Sequence, residues 1–369
     1  MAMQVYSPII KGKLNDLRAL GKLSASARAS VKPLIEAMPL PKNGDIEKHL
    51  HKLAHYLVKH VPLGEIYLDF YGLLPDLQTP NGANATIAGY NLVKALGRKV
   101  TPVYGFSRND SLWPSIASVV KENSKGFCFR VDLDDMDDLA EETWGQILER
   151  GAEVGLQPNQ IDLMLDLRDL KGLELEELQE KVLDFLAINP RVKQYRTIIL
   201  AGSSALKTVA EIQKDDIGHI VRRELILWSR LQREVPDGFS IVFGDYGVIH
   251  PDFSDQGPNK YMNAKIRYTD RGRIIYFRGH GLKYPVKDYG QYHKLAAQVR
   301  NSISYQDREF SYGDWYIDAV ADFNSTPGHP GTWVMADMNH HLEYTTMQMT
   351  RLVTKVLEVT NESELEEIL

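Results

Sequence analysis

One recurrence constrains this chain more than any other feature. Short apolar, β-branched runs return about every 30 residues, the interval of a strand–helix unit, and a longer stretch with helical spacing separates each run from the next. The runs are "QVYSPII", "VKPLIEA", "EIYLDFY", "KVTPVYGF", "GFCFRVDL", "QIDLMLDL", "YRTIILAG" and "FSIVFGD". Among the intervening segments, "DIEKHLHKLAHYLVKHV" places Ile46, Leu50, Leu53 and Leu57 on one helical face. Gly97 and Gly155 follow their helical stretches where a left-handed C-terminal cap is expected. Near-continuous apolar strands suit a parallel sheet covered by helices. Eight of them predict an α/β fold, a (β/α)8 barrel of the TIM type. A doubly wound open sheet is the rival, but no GxGxxG follows the first run to support it.

After the eighth run the alternation fails. "NAKIRYTDRGRIIYFRG" reads as a β-hairpin turning at Asp270-Arg271-Gly272. A helical "YGQYHKLAAQVRNS", the polar loop "NSTPGHPGTW" and a helix in "WVMADMNHHLEYTTMQMTRLVTKVL" come next. The expected organisation is a single barrel domain over residues 1–358, with a hairpin and helical insertion at about 250–330 after the eighth strand. Residues 359–369 read as an acidic tail. "GHIVRRELILWSRLQREV" reads as one helix, as does "LNDLRALGKLSASARA".

Composition narrows the function classes. The net charge of −6 over 369 residues leaves nucleic-acid contact to a local basic groove. The single cysteine, Cys128, excludes an intramolecular disulfide and a cysteine-rich zinc site; its apolar run predicts a buried, inert thiol. The N-terminal segment lacks the apolar core of a signal peptide, and no run approaches the roughly 20 residues of a membrane span, so a soluble cytoplasmic protein is expected.

In a barrel, chemistry gathers at the C-terminal strand ends. Those ends carry Lys11, Glu36, Asp69, Tyr104, Arg130 with Asp132, Asp166 with Arg168, Ser203 with Ser204, and Asp245 with Tyr246. A ring of mixed charge after apolar strands predicts either a polar pocket or mutual neutralisation, since unpaired charge is costly to desolvate. As a pocket, Asp245, Asp166 and Glu36 are the acid–base candidates. Lys11, Asp69, Arg130, Ser203, Tyr246, Arg278 and His280 are the ligand-binding candidates. In "GDYGVIHPD", Gly244 and Gly247 would permit a tight exit, with Asp245 directed at the mouth.

Other chemistries leave weaker traces. His340-His341 are adjacent on a helix, where both rings cannot share a face, so no zinc site is assigned. Magnesium could be held by Asp69, Asp132, Asp166 and Glu36, but nothing in the sequence requires it. "LAGSSAL" lacks the GxSxG elbow of a serine nucleophile. Basic and aromatic residues interleave from Lys260 to Lys294, which could serve single-stranded nucleic acid or simply form a solvated hairpin.

Several pieces together resemble the Beta protein family of phages, phage satellites and bacteria. They are "YSPIIKGK", "KPLIEAMP", "LDLRDL", "ILAGSS", "RRELILW", "GDYGVIHPD", "IRYT", "YFRGHG", "GDWYI" and "GTWVMADMNHHLEYTTMQM", in order from Tyr6 to about Met349. The resemblance implies a component of an anti-phage or toxin-control locus that restrains a toxic partner protein or excludes competing phages. The residues themselves leave two alternatives open: a hydrolase or phosphodiesterase-like enzyme acting on a nucleotide or other phosphorylated substrate, and a nucleic-acid-binding protein.

Overall fold

In the computed structural model, residues 4–106, 110–123, 126–235, 239–252, 262–284 and 286–356 are described. In chain order the strands are β1 (Ile9–Lys11), β2 (Leu34–Glu36), β3 (Glu65–Asp69), β4 (Lys99–Gly105), β5 (Phe127–Asp132), β6 (Ile161–Asp169), β7 (Thr197–Ser203), β8 (Ile217–Val221), β9 (Ile241–Asp245), β10 (Asn263–Asp270) and β11 (Arg273–Gly281). Parallel pairing runs β1-β2-β3-β4-β5-β6-β7-β9. Ahead of β1, Tyr6 bridges both Val31 and Phe243, and the Ser7 N–H donates to the Phe243 carbonyl at 2.8 Å. The first strand therefore meets the last, and the sheet is the predicted (β/α)8 barrel.

Strand alternation sorts the residues. Ile9, Leu34, Tyr67, Val103, Cys128, Met164, Ile199, Ala201 and Tyr246 pack together as the barrel interior. The residues between them face the helices; Phe243, for example, meets Trp228 of the helix Arg223–Glu234 edge-on at 6.0 Å. Cys128 is buried, and burial first of all holds its thiol far above the ordinary range, so it is the inert core group expected. Gly97 and Gly155 have φ of +79° and +72°, the left-handed caps anticipated.

The accessory layer follows the eighth barrel strand, as predicted, but it takes one strand from before it. β10 and β11 form the hairpin, and β8 pairs antiparallel with β11 to give the order β10-β11-β8. The expected long helix over "GHIVRREL…" is thus a strand, then the helix Arg223–Glu234. Non-local pairing with β11 decides the conformation of a β-branched segment that helical spacing alone left ambiguous. "LNDLRALGKLSASARA" likewise divides into Leu14–Gly21 and Ala25–Ser30, because the Ser24 hydroxyl caps the second helix by accepting from the Ala27 N–H. The helices Gln291–Arg300 and Tyr312–Ala321 pack on this sheet around a second core that includes Ile266, Tyr268, Phe277, Tyr292 and Trp333. The 27-residue helix Pro330–Val356 runs between this layer and the barrel, contributing Met338 and Leu342 to the barrel side and Trp333 and Ala336 to the other.

Candidate functional site

Inward-facing positions at the C-terminal strand ends bring Glu36, Asp69, Arg130, Asp166 and Tyr246 into contact, with Lys11 beside them. The Arg130 guanidinium lies at the centre. Its Nη1 donates to Glu36 at 2.7 Å and Asp69 at 2.9 Å. Its Nε and Nη2 both reach Asp166 Oδ2, at 2.9 and 2.6 Å, and Nη2 also reaches the Tyr246 oxygen at 2.8 Å. The Tyr246 hydroxyl donates to Asp166 at 2.6 Å. The Lys11 ammonium bonds Glu36 and, at 3.0 Å, the Pro251 carbonyl. Burial would raise the Glu36 pKa, but Arg130 and Lys11 overcome it and hold the carboxyl at about 2. Burial and Asp166 push the Tyr246 phenol far above its usual range, so it stays protonated.

Above this layer opens a cleft of about 1140 Å³, lined in part by Lys11, Lys13, Asp16, Lys52, Tyr71 and Arg168. At its wall β6 bulges: pairing with β7 shifts between Asp166 and Asp169, and Arg168 adopts φ +55°. Asp166 Oδ1 accepts from the Arg168 N–H at 3.1 Å and supports this sparsely populated conformation for a non-glycine residue. The Arg168 side chain reaches Asp252 at 2.8 Å and lies 5.9 Å from the Tyr71 ring centre, with Arg130 at 5.4 Å from the same ring.

Asp245 requires a correction. It shares the outward parity of Ile241 and Phe243, so it cannot point at the mouth alongside Tyr246. Its carboxylate is sealed beneath the helix Pro330–Val356. Oδ1 accepts from the Tyr6 hydroxyl at 2.5 Å and the Gly247 N–H at 2.9 Å; Oδ2 accepts from Arg222 at 3.2 Å and His341 at 2.9 Å. Gly247 is required here: φ is +61°, and a Cβ would lie 2.4 Å from the Met338 sulfur. Burial opposes ionisation of Asp245, but His341, Arg222 and Tyr6 bring its pKa down to about 2. Burial outweighs Asp245 at His341 and lowers its pKa; Nε2 of the ring faces Asp245, and Nδ1 lies 2.7 Å from the Thr269 hydroxyl.

His340 turns the other way. Its Nε2 meets the Thr269 carbonyl at 2.9 Å and its Nδ1 meets Asp314 at 2.8 Å, while the ring stacks on Tyr268 at 3.8 Å. Burial disfavours its charge, yet Asp314 raises its pKa above the ordinary histidine value. Both histidines are therefore buried structural groups, and neither is exposed.

Other sequence candidates separate from the mouth. Ser203 Oγ accepts from the Ala205 N–H at 3.1 Å, a local turn that explains its burial without a ligand. Arg278 and His280 stand on β11: Arg278 bonds the Ile212 carbonyl, and His280 lies between Asp215 at 2.8 Å and Asp288 at 3.0 Å. The outward-facing Tyr104 bonds Asp110, and Asp132 caps the short helix Leu133–Met136. Tyr268, Tyr276 and Tyr292 of the basic aromatic stretch are buried, leaving those rings no face for stacking bases. Among the described residues no group of three or more His, Cys, Asp or Glu is arranged to hold a metal ion. Of the carboxylates proposed for magnesium, Glu36, Asp69 and Asp166 converge on the Arg130 guanidinium, while Asp132 caps a helix. Sequence reasoning missed Arg222, fully buried, and Asp16, whose signal was only an acidic residue just inside a helix start.

Fold and site together define a (β/α)8-barrel protein with a buried charge cluster at its mouth and an accessory α/β layer packed against the barrel through the long helix. The chain belongs to the Beta protein family, whose model matches residues 6–347. A search of curated proteins returns no match. Among the described residues no helix is long and apolar enough to cross a membrane.

Proposed function

We propose that the chain is a regulatory binding protein of a toxin-control or phage-exclusion locus in the bacterial cytoplasm. It restrains a toxic partner protein, and an anionic, phosphorylated ligand in the barrel-mouth cleft sets the strength of that grip. The partner half of the reading draws on family membership. The ligand half rests on one observation: the mouth carboxylates are already engaged by Arg130 and Lys11, while Lys11, Lys13, Lys52 and Arg168 border an open cleft whose acidic neighbours among the described residues are Asp16, Glu36 and Asp252.

The same observation favours binding over hydrolysis. A general acid must hold a proton near the working pH, and Glu36 and Asp245 are both held at about 2. Asp245 is also walled off from the cleft by its four partners. Co-expression with the adjacent toxic gene, followed by affinity purification, tests the reading. Restored growth and co-purification of the two proteins are expected. Unchanged toxicity without co-purification would overturn the partner half.

A further inference from the structure

The helix Leu14–Gly21 opens directly onto the cleft, at the end of the loop leaving β1. Lys13 occupies its N-cap with extended backbone, φ −105° and ψ 147°, but provides no side-chain cap. The first hydrogen bond joining it is Leu17 N–H to Lys13 carbonyl at 3.0 Å, so the N–H groups of residues 14–16 precede the helical ladder. An uncapped N-terminus of this kind attracts oxyanions through its N–H groups and the positive end of the helix dipole.

A second observation comes from a side chain. Asp16 is 2% exposed, lines the cleft, and leaves its buried Oδ1 without a hydrogen-bond partner. An orphaned buried carboxyl oxygen costs stability unless something supplies a proton to it. The charged groups acting on it are Lys13 on its own loop, Arg267 of β10 and Lys11 of β1; Asp337 of the long helix holds Arg267 at 2.9 Å.

We propose that this helix start and Asp16 form a phosphate subsite selective for an oxyanion that carries a proton. This deepens the anionic-ligand reading of the cleft and rests on it. The N–H groups and Lys11 receive the unprotonated oxygens, and a P–OH group donates to Asp16 Oδ1. Burial first of all raises the Asp16 pKa to about 6, close to the second ionisation of a phosphomonoester at about 6, so one proton can be shared between the two. Sulfate, which carries no proton near neutrality, would set its oxygens against the carboxylate and be rejected.

Calorimetric titration of the full-length protein at pH 7 with inorganic phosphate and with sulfate tests the assignment. Wild type is expected to prefer phosphate by roughly tenfold or more, one hydrogen bond to a charged group. Asp16→Asn should bring the ratio close to one by admitting sulfate, while its melting temperature stays equal or rises. Lys13→Asp, which places a good capping side chain at the N-cap, should abolish phosphate binding with the fold intact. Equal affinities in wild type, unchanged by Asp16→Asn, would overturn the subsite and leave the anionic cleft standing. Binding of neither anion by folded wild type would remove the anionic reading of the cleft, and the subsite with it.

Discussion

Two buried charge networks lie on opposite sides of the barrel wall and use the same chemistry for different ends. At the mouth, Arg130 gathers carboxylates from β2, β3 and β6, and a cleft opens above them. Outside the wall, Asp245 gathers Tyr6, Arg222 and His341; through Thr269 the chain of contacts continues to His340 and Asp314. The first network joins barrel strands to one another beside an open cleft. The second joins the barrel to the hairpin and to two helices of the accessory layer, its side chains all buried. Chemical composition does not distinguish a site from a fastening; strand parity and access to open volume do.

Substitutions should separate the two. Arg130→Met leaves three carboxylates facing one another, so it should cost about 5 kcal/mol or more at pH 7, beyond the usual loss for a broken buried pair. Urea unfolding would show the gap from wild type narrowing in acid, as those carboxylates protonate. Arg222→Met should cost about 3–5 kcal/mol, because Asp245 loses its cation, while phosphate binding at the mouth is retained. Equal loss of binding in both variants would erase the distinction.

Histidine chemistry sharpens the comparison next. The His340 pKa is raised in the folded state, so its stabilising contribution is complete below the unfolded value near 6.5 and is lost as pH rises through the folded value. Thermal melts from acidic to alkaline pH should show this decline in wild type and a flatter profile in His340→Gln. An unchanged slope would mean that the Asp314 pair does not govern it. The smallest stability effect belongs to Arg168→Ala, within about 1 kcal/mol because its partner Asp252 is half exposed. Phosphate affinity should nonetheless fall, as measured by calorimetry.

Much of the barrel was legible because parallel strands buried on both faces leave apolar runs that repeat at the strand–helix interval. The hairpin was legible from its turn, where Arg271 takes φ +40° and donates its N–H to the Tyr344 hydroxyl at 2.9 Å. β8 was not, since its conformation depends on β11, which lies more than fifty positions later in the chain. At the mouth, strand-end reading brought Lys11, Glu36, Asp69, Arg130, Asp166 and Tyr246 forward together. It misplaced Asp245 because adjacent residues on a strand face opposite ways, and the parity set by Phe243 had to be carried two residues further. Arg222 and Asp16 were missed for a different reason: their roles come from long-range partners or the lack of one, which local spacing does not report.

The division between site and fastening is tested most directly by a phosphate binding isotherm of Asp245→Asn, measured beside its urea unfolding curve. The account predicts a clear loss of stability with an affinity for phosphate equal to wild type. A folded Asp245→Asn protein that binds phosphate tenfold more weakly or worse, a change of about 1.4 kcal/mol, would place Asp245 in the site and contradict it.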